Sequence, residues 1–210
     1  METLVRPAEE RTVLHDISWK TYESLLKDLE NRSAPRLTFD RGTLEIMSPL
    51  EEHERFNRSI ALLVEEIAIE WGLDIENLGS RTFKRDDLAR GFEPDSCFYI
   101  QNAERIRGKI PVDLTVDPPP DLIIEIEITS SAVPKLPLYA QLGVPEVWHY
   151  DGEALAILAL AGGVYQGCDE GVALPGLDQA TLSGFMQDSQ SLKRTEWVRK
   201  IRDWARQHQP

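Results

Sequence analysis

Two glutamates stand inside an otherwise apolar run. In DLIIEIEI, residues 121–128, every second position from Leu122 is aliphatic, while Glu125 and Glu127 interrupt the other series. Alternate residues of a strand share a face. Ile123, Glu125 and Glu127 therefore lie on one side, and Leu122, Ile124, Ile126 and Ile128 on the other. The second side is core. The first sets two carboxylates side by side, where burial demands pairing, protonation or a bound cation. Upstream, EPDSCFYI places Asp95 at the start of another apolar strand. If the two strands are neighbours, three carboxylates converge. Oxygen-only donors of this kind suit Mg²⁺ or Mn²⁺ rather than zinc. Such an ion can polarise a phosphodiester and lower the pKa of bound water. Without an ion the glutamates should repel each other, and at least one pKa should rise. An edge strand with one wet face gives the same alternation without any chemistry.

The elements that must position these residues are legible in outline. DISWKTYESLLKDLENRS predicts a helix capped by Ser18, with Tyr22, Leu25, Leu26 and Leu29 on one side. RLTFDRGTLEIMSP reads as a hairpin turning at Gly42 and ended by Pro49. The longest helix follows in LEEHERFNRSIALLVEEIAIEWGL, with a stripe from Phe56 to Trp71 and a stop at Gly72. Short strands are predicted in GSRTFKRDD and in GFEPDSCFYI, the latter entered through Pro94, and NAERIRG predicts one short helix. After the glutamate strand come a helix around Leu136–Leu142, the strand EVWHYD and a hairpin turning at Gly162-Gly163. The last helix repeats Trp197, Ile201 and Trp204 at helical spacing. Strands and helices do not alternate cleanly, so the pattern predicts a mixed α/β fold around one sheet.

The length of 210 residues suits a single domain spanning 1–210, with a core over about 15–165 and a C-terminal extension whose basic helix covers about 190–208. No apolar run is long enough to cross a membrane, and METLVRPAEERTVLHDISW lacks the apolar core of a signal peptide. The two cysteines, Cys97 and Cys168, make neither a disulfide framework nor a zinc site. A cytoplasmic home is expected. The net charge of −13 counts against non-specific coating of nucleic acid. It leaves room for a nuclease, whose metal site must itself be acidic.

Pro94-Asp95, followed about thirty residues later by Glu-x-acid on an apolar strand, resembles the PD-(D/E)xK nuclease superfamily. RLTFDRGTLEIMSPLEEHE, GFEPDSCFYI, PPPDLIIEIEIT and LYAQLGVPEVWHYDG, in that order, resemble more narrowly a large bacterial restriction-endonuclease-like family of the Uma2 type. The resemblance runs from about residue 15 to residue 200. It implies a restriction-endonuclease-like α/β fold, a mixed sheet flanked by helices, and Mg²⁺- or Mn²⁺-dependent hydrolysis of DNA. Asp95 and Glu125 match the metal ligands. The superfamily lysine should stand two residues after Glu125, where this chain has Glu127.

Lys135 at the start of the next helix is the natural substitute for that lysine, with Lys84 as second choice. Glu127 reads either as a third ligand or as part of a solvated strand face. Glu45, from an early strand, is a further candidate carboxylate. His53, in the first turn of the long helix, reads as a capping histidine or a site contact. His149 is expected to be structural, and Tyr139 and Trp148 to be core aromatics. A homodimer is expected through residues 150–205, where the apolar hairpin and the Trp197–Trp204 stripe want cover. The rival expectation is a catalytically silent binding or assembly module that keeps the nuclease fold. The displaced lysine and the acidic total favour it.

Overall fold

Hairpin and helix patterns fold much as their periodicities require. The computed structural model describes residues 9–30, 32, 34–128, 131 and 133–210. The chain opens with β1 (Glu9–Leu14), α1 (Trp19–Leu29), β2 (Arg36–Asp40) and β3 (Thr43–Pro49). Ser18 Oγ caps α1 by accepting from Thr21 N at 3.1 Å. The β2–β3 turn puts Arg41 and Gly42 at positive φ, 46° and 99°. Such two-residue turns match the twist of the strands they join. The chain continues with α2 (Glu51–Trp71), β4 (Glu76–Gly79), β5 (Phe83–Arg85), β6 (Arg90–Phe92), β7 (Ser96–Tyr99), α3 (Ala103–Ile106) and β8 (Leu122–Ile126). It closes with α4 (Leu136–Leu142), β9 (Glu146–Tyr150), β10 (Leu155–Ala161), β11 (Val164–Cys168), α5 (Gln179–Ser191) and α6 (Arg194–Gln207).

The strands form two sheets where the sequence predicted one. A five-stranded antiparallel sheet runs β1-β3-β2-β6-β5, and a six-stranded mixed sheet runs β11-β10-β9-β8-β7-β4. In the second, β8 and β9 are parallel and their remaining neighbours antiparallel. Its two faces behave as the alternation of β8 demands. Leu122, Ile124 and Ile126 join Trp148, Tyr150 and the stripe of α2 in the main core. Ile123 joins Cys97, Val147, Leu138 and Tyr139 on the opposite side, under α4. The smaller sheet buries Leu37, Phe39 and Leu44 against Tyr22 of α1. Its other face carries Arg11, Arg36 and Glu45 and meets the mixed sheet at the start of β7.

The C-terminal helices belong to the main core. Leu182, Phe185 and Met186 of α5, with Trp197, Ile201 and Ala205 of α6, pack against α2 and β8–β10. Each fully buried large side chain contributes roughly 2–3 kcal/mol. Trp197 Nε1 donates to Phe185 O at 2.7 Å, and Trp71 Nε1 donates to Ala205 O at 2.9 Å. The apolar stripe expected to await a partner is thus covered largely within the chain. Three basic residues of this helix are matched from within too: Arg202 pairs with Glu66, Arg206 with Glu70 and Lys200 with Asp188. Among the described residues no helix is long and apolar enough to cross a membrane.

Candidate active site

The strand register builds one row of polar side chains. The β7–β8 ladder ends with Ser96 opposite Ile124, and Asp95 just before β7 accepts from Ile126 N just beyond Glu125 in β8. In the parallel β8–β9 ladder Glu125 pairs with His149. Glu125 and His149 therefore lie on the face that also carries Ile123 and Val147, and Asp95 reaches the same strand from the residue before β7.

Each member has partners from other elements. Asp95 is fully buried. Its Oδ2 accepts from Ile126 N at 2.6 Å, its Oδ1 forms an ion pair with Arg36 Nη1, and its carbonyl accepts from Asn57 Nδ2. Arg36 also donates to Glu54 at 2.7 Å, while its Nε is buried without an acceptor among the described residues. Burial pulls the Arg36 pKa down, and nearby carboxylates, Glu54 first and then Glu125, act against this. Glu125 accepts from Lys135 Nζ at 2.6 Å and from the Tyr139 hydroxyl. Lys135 caps α4 with Pro134 before it and Pro137 in the first turn, a start that fixes where the ammonium emerges. Tyr139, four residues on, sits on the same side of the helix.

Glu127 points to a different set. It accepts from His149 Nε2 at 3.0 Å and from Ser131 N at 2.6 Å. The His149 bond, the Ser131 amide and nearby positive charge hold its carboxyl at about 2 against the opposing effect of burial. The repulsion expected to raise a carboxyl pKa is outweighed here by these donors. The same bond raises the His149 pKa.

The first sheet supplies a further layer. Arg11 bridges Glu45 at 2.5 Å and Glu9 at 3.0 Å, and Ser131 Oγ donates to Glu45. His53 is fully buried at the start of α2, with Nε2 3.1 Å from Ile126 O, 3.4 Å from Asp95 and 3.6 Å from Glu9. Burial and the Arg36 charge depress its pKa to about 3. The ring is therefore neutral, Nε2 donates to the Ile126 carbonyl, and the carboxylate contacts are not ion pairs. Its Nδ1 is a buried acceptor without a donor among the described residues.

The structure brings together Asp95, Glu125, Lys135, Glu45 and His53. It turns Glu127 toward His149. It leaves Lys84 outside, paired with Glu23 at 2.6 Å on the surface, because Phe83 takes the inward position of β5. Tyr139 is core, as expected, but also holds Glu125. Glu9, Arg11 and Arg36 escaped the sequence reading, since nothing local marks a polar residue at the head of a short strand as inward-facing. His149 could have been found from its parity with Val147 once parallel pairing with β8 was assumed.

Two openings reach this cluster. One, of about 440 Å³, is lined by Arg36, Glu54, Asn57, Arg58, Asp95 and Ser96 among others. The other, of about 150 Å³, is lined by Glu125, Glu127, Lys135, Leu136, His149 and Leu158. Asp95 and Glu125 offer hard oxygen donors of the type a magnesium-like ion takes, although each carboxylate already has partners within the chain. Among the described residues no three His, Cys, Asp or Glu side chains are grouped closely enough to enclose a metal. An ion here would complete its shell with water and phosphate oxygens, the usual habit of Mg²⁺.

Among solved structures, the chain is similar to a protein from Anabaena variabilis ATCC 29413 described as "a putative nuclease belonging to DUF820". The TM-score is 0.55 at 13% identity, over 81% of this chain and 99% of that one, a likeness of fold. No curated protein matches the sequence. The profile of the Uma2 family, described as "Putative restriction endonuclease", matches residues 19–194. With most of its length so matched, the chain belongs to the Uma2 family of restriction-endonuclease-like proteins.

Proposed function

We propose that the chain is a metal-dependent endonuclease that hydrolyses DNA phosphodiester bonds. The observation that carries this reading is the seating of the Asp95 carboxylate on the Ile126 amide, next to Glu125 in β8, with the Lys135 ammonium 2.6 Å from Glu125. Asp95 and Glu125 would be the metal ligands, and Mg²⁺ or Mn²⁺ held there would supply Lewis-acid polarisation and a more acidic water. The chain's own groups orient and balance charge. The Ile126 amide fixes one oxygen of Asp95, and the Tyr139 hydroxyl fixes one oxygen of Glu125. Lys135 brings positive charge to the place where phosphate oxygens would gather. Glu127 has one oxygen on Ser131 N and the other on His149, so the proposed ligand set narrows to Asp95 and Glu125. Supercoiled plasmid incubated with Mg²⁺ or Mn²⁺ tests the reading. Nicking should vanish with chelator and fall about 100-fold or more in Lys135→Gln. Intact plasmid across wide ranges of protein and metal would overturn it.

A second reading has its own observation. Asp95, Glu125 and Glu45 already have cationic partners within the chain, namely Arg36, Lys135 and Arg11. A silent binding or assembly module would look the same. It predicts no nicking and a melting temperature indifferent to millimolar Mg²⁺.

A homodimer fits either reading through the β10–β11 hairpin, whose outer strand β11 is a sheet edge. The α6 stripe no longer argues for it. Sedimentation at micromolar concentration tests the pairing.

A further inference from the structure

Beyond the Glu125–Lys135 pair the surface widens into a cleft of about 770 Å³. Its walls differ from the charged row behind it. Pro134, Leu136, Pro137 and Ala140 come from the start of α4, and Val164 and Tyr165 come from β11. Glu127, Lys135 and Leu136 line both this cleft and the small opening that reaches Glu125 and His149. Gln141, another lining residue, accepts from Arg90 through Oε1, so its amide nitrogen keeps its donors. The proposed chemistry uses the inner end of this cleft and leaves the apolar length without a task.

The size lies within the range of small-ligand sites, roughly 300–1,000 Å³, and the apolar walls with a few polar groups have the same character. A surface that tracks duplex DNA would instead be lined with cations, because phosphate neutralisation supplies that affinity. Lys135 is the one cation among the described lining residues. One ammonium can meet one phosphate and is too little for the two phosphate rails of a duplex. A single nucleotide would find its phosphate beside Lys135 and its base against Tyr165 and the proline rings, contacts that suit any base because each has a flat π face. A base within a duplex cannot enter, since its faces are stacked and its edge is paired.

We propose that this cleft takes an unpaired nucleotide next to the reacting phosphate, so that the substrate is single-stranded DNA or an unpaired end or flap. The proposal rests on the nuclease reading and names its substrate class.

The test is binding of a fluorescent oligothymidylate and of a blunt hairpin duplex of equal nucleotide count to the intact protein in chelator, read by anisotropy. The single strand should bind about tenfold tighter than the duplex. Tyr165→Leu should weaken single-strand binding about tenfold. Because the Tyr165 hydroxyl also holds Val144 O, Val164→Glu at an exposed position serves as the second variant. It should weaken single-strand binding as much while leaving the melting temperature unchanged. Equal or tighter duplex binding, no binding of either probe, or full single-strand affinity in Val164→Glu would each overturn the proposal. So would loss of a dimer in Val164→Glu with no oligonucleotide bound, since a second copy would then be the occupant. Plasmid nicking by wild type is read separately. An enzyme that nicks but shows no single-strand preference keeps the nuclease reading and loses this one.

Discussion

Arg36 and Asp95 are a buried ion pair, and such pairs are dangerous to break by halves. Arg36→Met would leave the Asp95 carboxylate buried without its cation. It should cost about 3 kcal/mol or more in urea unfolding. Adding Asp95→Asn should recover most of the loss, because the amide oxygen can still accept from Ile126 N. A double variant no more stable than Arg36→Met would mean that the pair does not act as a unit. The Glu127–His149 pair makes a pH-dependent prediction for the metal-free protein. Glu127, depressed to about 2 in the fold, stabilises at any pH above its unfolded value of ~4.3 and loses this as pH falls toward 2. His149, raised in the fold, stabilises fully below its unfolded value of ~6.5 and loses this as pH rises through the folded value. Their joint contribution is greatest between about pH 4.5 and 6.5. The melting gap between wild type and His149→Ala should be widest there and shrink by pH 8. Both groups are about a third exposed, so the gap should reflect about 1 kcal/mol at most.

At the scale of elements, short strands position the site and close packing holds them. Gly91 of β6 lies under Tyr22 of α1, and an added Cβ would meet the Tyr22 hydroxyl at 2.1 Å and two ring atoms at 2.7 Å. Gly91→Ala should therefore force apart α1 and the smaller sheet, costing about 1–3 kcal/mol in chemical denaturation. An unchanged midpoint would mean that Tyr22 moves freely. The strand of Glu125, the long α2, α4 and the Gly162-Gly163 hairpin were legible because period two or 3.6 marks them locally. The division into two sheets was not. Strand order is a long-range property, and nothing in RLTFD or LIIEI says which neighbour each will find. β1 was missed because EERTVL is short and polar, though its ladder with β3 puts Glu9 and Arg11 into the cluster. α5 was missed because GLDQATLSGFMQDSQS is weakly patterned, although Asp178 marks its start by accepting from Thr181 N. The site residues followed the same division. Asp95, Glu125 and Lys135 could be placed by motif and spacing. Arg36, Arg11 and Tyr139 act on partners 59, 34 and 14 residues away, and such contacts leave no local mark.

For the molecule as a whole, the C-terminal helices decide what counts as the domain. Because α5 and α6 complete the main core, a chain ended at residue 175 should lose cooperative unfolding and bind hydrophobic dye, and near-ultraviolet circular dichroism would show the loss. A sharp melt in that truncation would make the helices an appendage. If Asp95 and Glu125 hold a divalent ion, millimolar Mg²⁺ should raise the melting temperature of the full chain, because an ion that binds only the native state stabilises it by mass action. The docking of α6 on α2 also sets a timetable for synthesis. α2 carries His53 and Asn57 to the acidic cluster from its first turns, yet its far end is held by Ala205 of α6. Residue 205 leaves the ribosome after every described strand, at a synthesis rate of about 5–20 residues per second. A growing chain would thus carry the carboxylates without the buttress that sets them. The side chains that α2 brings to the cluster would gain their full support only once α6 has emerged, and a chain ended before α6 should hold Asp95 and Glu125 less rigidly.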